Sequence, residues 1–335
     1  MAPTSRSLRH RLLRGLLFTG TLLVAAIALG WLLWVPLPRE PGYTVVTTWG
    51  GRGSGRGQFH EPTGIAVAGG KVFVSDGRNG RIQVFDRHGH FLRQFPVPGA
   101  TPEERGRPMN LAAHGEGLYV ADYWNDRIQV FALDGTPRRV IGSTGDGPGQ
   151  LHSPGGVAVA ADGSLFVADF YNHRVQHLTA DGRFLRQWGT TGKTGIRAGR
   201  FNYPTDVALA PDGRLYVADG YNDRIQLFDA SGRFLRKWGG PFATNLFGPF
   251  NGWFATVTSV AVGPQGNLFV ADFYNDRVQK FTPGGAFLTA FRLPATAPAH
   301  SAIAVAVGCD GTVFVADYGG NRIQAWRQSR PARRW

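Results

Sequence analysis

Residues 165–178 read Leu-Phe-Val-Ala-Asp-Phe-Tyr-Asn-His-Arg-Val-Gln-His-Leu, and close variants of this stretch occur five more times. An apolar run ends on an aspartate, a polar turn follows, and a second run opens on Arg, then Ile or Val, then Gln. The aspartates are Asp76, Asp122, Asp169, Asp219, Asp272 and Asp317, with steps of 46, 47, 50, 53 and 45 residues. Such a period marks a repeat architecture in which each copy is one supersecondary unit. Each copy also has an earlier short apolar run (64–68, 111–113, 157–160, 207–210, 260–263, 305–308) and a later one like Phe184-Leu185-Arg186-Gln187-Trp188-Gly189. Hairpin signals such as Asp162-Gly163, Asp212-Gly213 and Ser231-Gly232 separate them. Four short strands per copy predict an all-β, six-bladed propeller.

Closure is readable as well. The sixth copy stops near Trp326, after its third strand, whereas Tyr43-Thr44-Val45-Val46-Thr47-Thr48-Trp49-Gly50 resembles an orphan fourth strand. The N-terminal strand is expected to complete the last blade and remove two open sheet edges. Composition agrees: 47 of 335 residues are glycine, and only five Glu and four Lys are present, too few to build helical solvent faces. One cysteine, Cys309, excludes an intrachain disulfide and any multi-cysteine zinc site.

The net charge of +13 is unevenly placed. Residues 1–39 hold five Arg and no acid, the tail 327–335 holds four Arg and no acid, and the remainder is only +4. This argues against nucleic acid as a partner. No charge occurs between Arg14 and Arg39, and the intervening 24 residues are mostly apolar. The expected organisation is a basic cytoplasmic segment 1–14, a transmembrane helix 15–38, the propeller 43–326 and a basic tail 327–335. Arg6, Arg9, Arg11 and Arg14 keep the N-terminus cytoplasmic, which makes this a single-pass inner-membrane protein with a periplasmic body. A signal peptide cut after Ala26-Ile27-Ala28 would instead leave the greasy stretch 29–37 as a mature terminus.

Over residues 43–326 the chain resembles NHL-repeat proteins, whose repeat reads V-A-D-x-x-N-x-R-[IV]-Q-x-[FL] after a P-x-G-[IV]-A-V strand. The resemblance implies the propeller fold but no single function, because such propellers serve as binding modules and as enzymes. The peptidyl-amidating lyases have similar blades and place metal-binding histidines after a proline opening the innermost strand. Here those positions hold Thr63, Met109, Gly155 and Thr205. Lactonase-like propellers hold a divalent cation with channel oxygens; the matching positions here offer Asp206 and Asn110, with Gly64, Gly156, Ser259 and Ala304 beside them. That set is thin for a metal, so no cofactor is expected beyond such a channel cation. RNA binding by other NHL propellers does not suit an exported body, and one cysteine cannot build a RING.

The six Asp and Arg are expected to be scaffold, because a feature of every blade serves every blade. Departures from the repeat are more informative. The two positions after each Asp supply Arg78, Tyr123, Trp124, Phe170, Tyr171, Tyr221, Phe273, Tyr274 and Tyr318, and these are expected to ring one face. The long inter-blade loops 96–108, 190–204 and 239–258 should rise from the same face, with Arg197 and Arg200 adding anion-binding groups. The aromatics either cap neighbouring blades or form a rim that stacks on a ligand. The resulting expectation is a membrane-anchored, non-catalytic module binding an envelope protein, peptide or saccharide. The alternative is a metal-dependent hydrolase or lyase using the channel.

Overall fold

The first five repeat copies each fold into one four-stranded antiparallel sheet in sequence order, the sixth supplies three strands to a sheet completed by the N-terminal strand, and the inner strands line a central channel. The computed structural model describes residues 18–27, 29–30, 35–99, 101, 104–294 and 302–330. The strands of blade 3 show the pattern: Pro154–Val159 inside, then Leu165–Asp169, Arg174–Leu178 and Phe184–Gly189 at the perimeter. Blade 6 consists of Ala302–Val307, Val313–Asp317, Arg322–Gln328 and, outermost, Tyr43–Gly50. The N-terminal strand pairs with the last strand from Tyr43↔Gln328 to Gly50↔Arg322, with a bulge between Val45 and Thr47. The last strand thus runs two residues beyond the expected limit at 326.

No blade buries its apolar faces alone. Each of the six core clusters is shared by two neighbouring blades: Phe166, Val175 and Val217 join blades 3 and 4. Phe59, Val74, Phe314 and Ile323 join blades 1 and 6. The ring must therefore close before its last core exists, which is why the clasp strand matters.

At the end of every second strand lies a buried carboxylate. In blade 4, Asp219 Oδ2 accepts from Arg224 Nε (2.7 Å), Asn222 Nδ2 (2.9 Å) and Gln226 Nε2 (2.9 Å), while Oδ1 accepts from the Asn202 amide (2.7 Å). Arg224 also donates to the carbonyls of Arg197, Arg200 and Ala243. Aspartate, arginine, asparagine and glutamine thus tie the incoming inter-blade loop to its blade. The same carboxylate pairs with Arg81, Arg127, Arg174, Arg277 and Arg322 in the other blades. In the sixth turn, where glycine replaces asparagine, the Gly320 amide donates to Asp317 Oδ1 (2.8 Å), and any side chain at 320 would strike the carboxylate.

The N-terminal residues form a separate unit, 1–36, apart from 37–335. Residues 18–27 and 29–30 are helical, with Phe18, Leu22, Leu23, Val24, Ile27 and Leu29 exposed. Among the described residues no helix is long and apolar enough to cross a membrane. The segment 1–14, parts of 15–38 and residues 331–335 of the tail lie outside the described residues. All six sheets, closure included, lie within 37–335, so that unit contains every contact its fold requires.

Removing one partner of a buried pair leaves an uncompensated charge. Arg224→Ala should cost about 3–5 kcal/mol in denaturant unfolding. Arg183→Ala, which breaks the exposed pair with Asp181, should leave the midpoint unchanged. Equal effects would show that the clamp contributes no more than a surface pair.

Candidate functional site

Each innermost strand opens with a residue paired opposite the clamp aspartate, such as Pro62↔Asp76 or Pro204↔Asp219, and the register then skips a residue. Proline suits a strand start because its missing N–H removes nothing from the ladder. The bulge turns the following residue toward the axis. Thr63, Met109, Gly155, Thr205, Thr258 and Ile303 thereby line a cavity of about 380 Å³ at the channel mouth. Its walls are Tyr123, Phe170, Tyr221, Phe273 and Tyr274, with Arg107 as the lining cation.

The aromatics touch one another around the mouth. Tyr123 lies 6.0 Å from Phe170, and Phe170 lies 6.2 Å from Tyr221. Tyr203, on the incoming loop, packs 4.8 Å from Phe170 and 4.9 Å from Tyr221. On the far side Phe273 meets Tyr318 at 6.1 Å. Tyr123, Phe170, Phe273 and Tyr318 are half-buried, whereas Trp124, Tyr171, Tyr221 and Tyr274 are 42–55% exposed. Where the first position after the aspartate is aromatic it packs inward, and where the second is aromatic it presents its ring to solvent.

Polar groups gather on one side. Glu61 Oε2 accepts from Arg78 Nε (2.6 Å) and Arg107 (3.3 Å), and the Arg107 guanidinium sits 5.1 Å over the Trp124 ring. Burial pushes the Glu61 carboxyl up, but hydrogen bonds from Arg78 and Tyr318 and the charge of Arg107 outweigh it and hold the group below its ordinary value. Burial and then Tyr171 push the Tyr123 phenol up, so it remains a neutral donor. The mouth thus combines aromatic faces with an ionised Arg–Glu–Arg cluster.

Not every expected residue reaches this site. Arg78, Trp124, Tyr171 and Tyr318 stand beside the cavity without lining it; Arg197 and Arg200 are exposed and do not line it either, and their carbonyl oxygens accept from Arg224. Sequence reasoning missed Glu61, Arg107 and Tyr203. Arg107 and Tyr203 stand directly before the prolines that open their inner strands, but nothing in the sequence places Glu61 against two arginines from separate loops.

Below the mouth, Asp206 Oδ2 accepts from Ser259 Oγ (2.9 Å) and the Val260 amide (3.0 Å), and a side chain at Gly156 would collide with the carboxylate. Asp206 thus staples neighbouring inner strands. Asn110 Nδ2 reaches the Thr258 carbonyl at 3.3 Å. Among the described residues no three His, Cys, Asp or Glu side chains converge as a metal site. Asp206 and Asn110, the two channel positions singled out in the sequence, are both engaged with neighbouring inner strands.

Four segments, 59–85, 151–178, 201–228 and 254–281, match the family model of the NHL repeat. The chain carries NHL repeats folded as a six-bladed β-propeller. The copies around Asp122 and Asp317 lie outside the matched segments yet form the same blades. Among solved structures the chain is similar to a streptogramin B lyase at 16% identity, covering 86% of this chain and 98% of that one with a TM-score of 0.59. Virginiamycin B lyase from Staphylococcus aureus is similar at 18% identity, 84% and 83% coverage and a TM-score of 0.56. The WD40 propeller domain of Doa1 is similar at 14% identity, 87% and 98% coverage and a TM-score of 0.59. Likeness at these identities shows the fold alone. No curated protein matches the sequence.

Burial pushes the Asp206 carboxyl up to about 7, against the hydrogen bonds from Val260 and Ser259. An unfolded aspartate titrates near ~3.9, so the protonated folded form adds stability that is full below that value and is lost as pH rises through 7. Asp206→Asn should remove this loss. Its melting temperature relative to wild type should climb from pH 4.5 to pH 8; parallel curves would contradict the assignment.

Proposed function

We propose that the chain is a membrane-anchored, extracytoplasmic binding module whose channel mouth captures an envelope peptide or saccharide. The observation carrying this reading is the open cavity walled by Tyr123, Phe170, Tyr221, Phe273 and Tyr274, with the exposed rings of Trp124 and Tyr171 next to its lining residues Arg107 and Phe170, beside the Arg78–Glu61–Arg107 cluster. Rings held by a rigid scaffold gain contact area on binding at small entropic cost. The arginines would orient an acidic group, and Glu61 a donor. Tyr318, by bonding Glu61, fixes that cluster in place. The uncharged, apolar run 15–38 behind a basic segment supports the anchor, with a cytoplasmic N-terminus.

A second reading is a hydrolase or lyase acting in the channel, as the names of the two similar lyases suggest. Its specific support is Asp206, a channel carboxyl poised near neutrality. A stoichiometric divalent ion in the purified protein would favour it.

The full chain should stay in membranes through an alkaline wash and come out in detergent; a soluble form beginning after Ala28 would overturn the anchor. Titrated calorimetrically with soluble peptidoglycan fragments, which carry both sugar and peptide, the detergent-solubilised protein should bind. Trp124→Ala with Tyr171→Ala should weaken binding by about tenfold or more, at roughly 1 kcal/mol per stacked ring, with unfolding unchanged. Loss of stability with binding retained would return these rings to scaffold.

A further inference from the structure

The longest loop reaches the mouth only at its end, where Thr256 lines the cavity; Phe242, Leu246 and Phe247 do not line it. Between Asp181 and Asp206, and again between Asp229 and Asp272, the chain has no acidic residue, yet these stretches hold Arg183, Arg186, Lys193, Arg197, Arg200, Arg233, Arg236 and Lys237. The fold lays the two stretches side by side. Arg224 donates to the carbonyls of Ile196 on one loop and Ala243 on the other, and Lys237 Nζ reaches the Ile196 carbonyl at 3.3 Å.

Apolar side chains project from the tips of these loops. Phe242 and Phe247 are each 72% exposed, Leu246 49% and Ile196 51%. The backbone beneath them is held in place. Phe242, Ala243 and Asn245 have φ values of 58°, 48° and 61°, in the left-handed region that non-glycine residues seldom occupy. Arg224 grips the Ala243 carbonyl, and the Asn245 amide bonds the Asn222 carbonyl at 3.2 Å. A loop clamped in a costly conformation while presenting aromatics outward suggests a use for those aromatics.

We propose that this outer corner, formed by the loops 190–203 and 239–256, docks on an anionic lipid bilayer. Phe242, Leu246, Phe247 and Ile196 would sink to the boundary between headgroups and acyl chains, and Lys193, Arg197, Arg200 and Arg236, all exposed, would meet lipid phosphates. Bilayer rather than protein is favoured by shape and charge together: the apolar groups are separate protruding knobs, not the lining of a groove, and they stand among cations. Arg183 and Arg233 are excluded from this role because Asp181 and Asp229 neutralise them. Two acids stand beside the corner: Asp146 on the preceding loop, whose carbonyl shares the Arg174 guanidinium with Thr191, and Asp223, which is buried and accepts from the Thr256 amide. The docking is independent of what the mouth binds.

The test uses residues 37–335, which hold the whole closed ring, with vesicles of phosphatidylcholine alone or mixed with phosphatidylglycerol. The protein should co-sediment with the mixed vesicles and release as salt rises. Substituting Phe242→Ser, Leu246→Ser and Phe247→Ser together should abolish binding. Arg197→Gln with Arg200→Gln should weaken it about fivefold per cation removed, since each is worth about 1 kcal/mol near such a surface. The second variant leaves the strained loop untouched, so a folding defect in the first does not decide the outcome. No binding to mixed vesicles, equal binding to both vesicle types, or binding unaffected by either variant would overturn the proposal. So would lipid-free dimerisation that the serine substitutions abolish, because the knobs would then be a protein contact.

Discussion

A buried carboxylate at the end of each second strand organises this molecule. Its oxygens take hydrogen bonds from the arginine and glutamine of the third strand, from the turn and from the incoming loop. Taking such an ion pair out of water offsets much of its attraction, so the clamp contributes more to geometry than to net stability. Burial pushes Asp169, Asp219 and Asp272 upward against the pull of their arginines, which reflects that desolvation cost. The effect of the geometry is to fix the path of every inter-blade loop. Residues next to four of the arginines extend the link around the ring: Asp126, His173, Asp223 and Asn321 accept from the amides of Ser153, Tyr203, Thr256 and Glu61 on the neighbouring blade.

A frame this regular frees what it does not use. The blades differ little in their strands and greatly in the two residues after the aspartate and in loop length. Aromatic rings gather on blades 2 to 6, the Arg–Glu–Arg cluster lies between blades 1 and 2, and the apolar, cationic corner lies on the loops around blade 4. One face of the ring therefore presents chemically distinct surfaces on a common support, although the repeat itself is nearly symmetric.

The fold was legible because the repeat copies aspartate, arginine and glutamine at constant offsets, and because Thr48-Trp49-Gly50 resembles the ends of other outer strands. The aromatic positions were legible for the same reason, as departures from a fixed register. The strand-opening bulge was not, and it is the bulge that turns Thr63, Thr205 and Thr258 into the mouth. Glu61 and Arg107 were missed because they meet only across a blade boundary, 46 residues apart in sequence. Arg197 and Arg200 were assigned to the mouth from their charge. The clamp holds their backbone carbonyls instead, and their side chains are exposed.

The central claim is that the carboxylate clamp, rather than local loop packing, holds the working face. Four loop amides report on it directly: Gly57, Gly149, Gly199 and Gly252 donate to the side-chain oxygens of Gln83, Gln176, Gln226 and Gln279 at 2.9–3.0 Å. Native-state hydrogen exchange should find all four as slow as strand amides, with Gln226→Ala speeding Gly199 and leaving the other three protected. Exchange of all four at the rate of open loops in the unmodified protein would contradict the account.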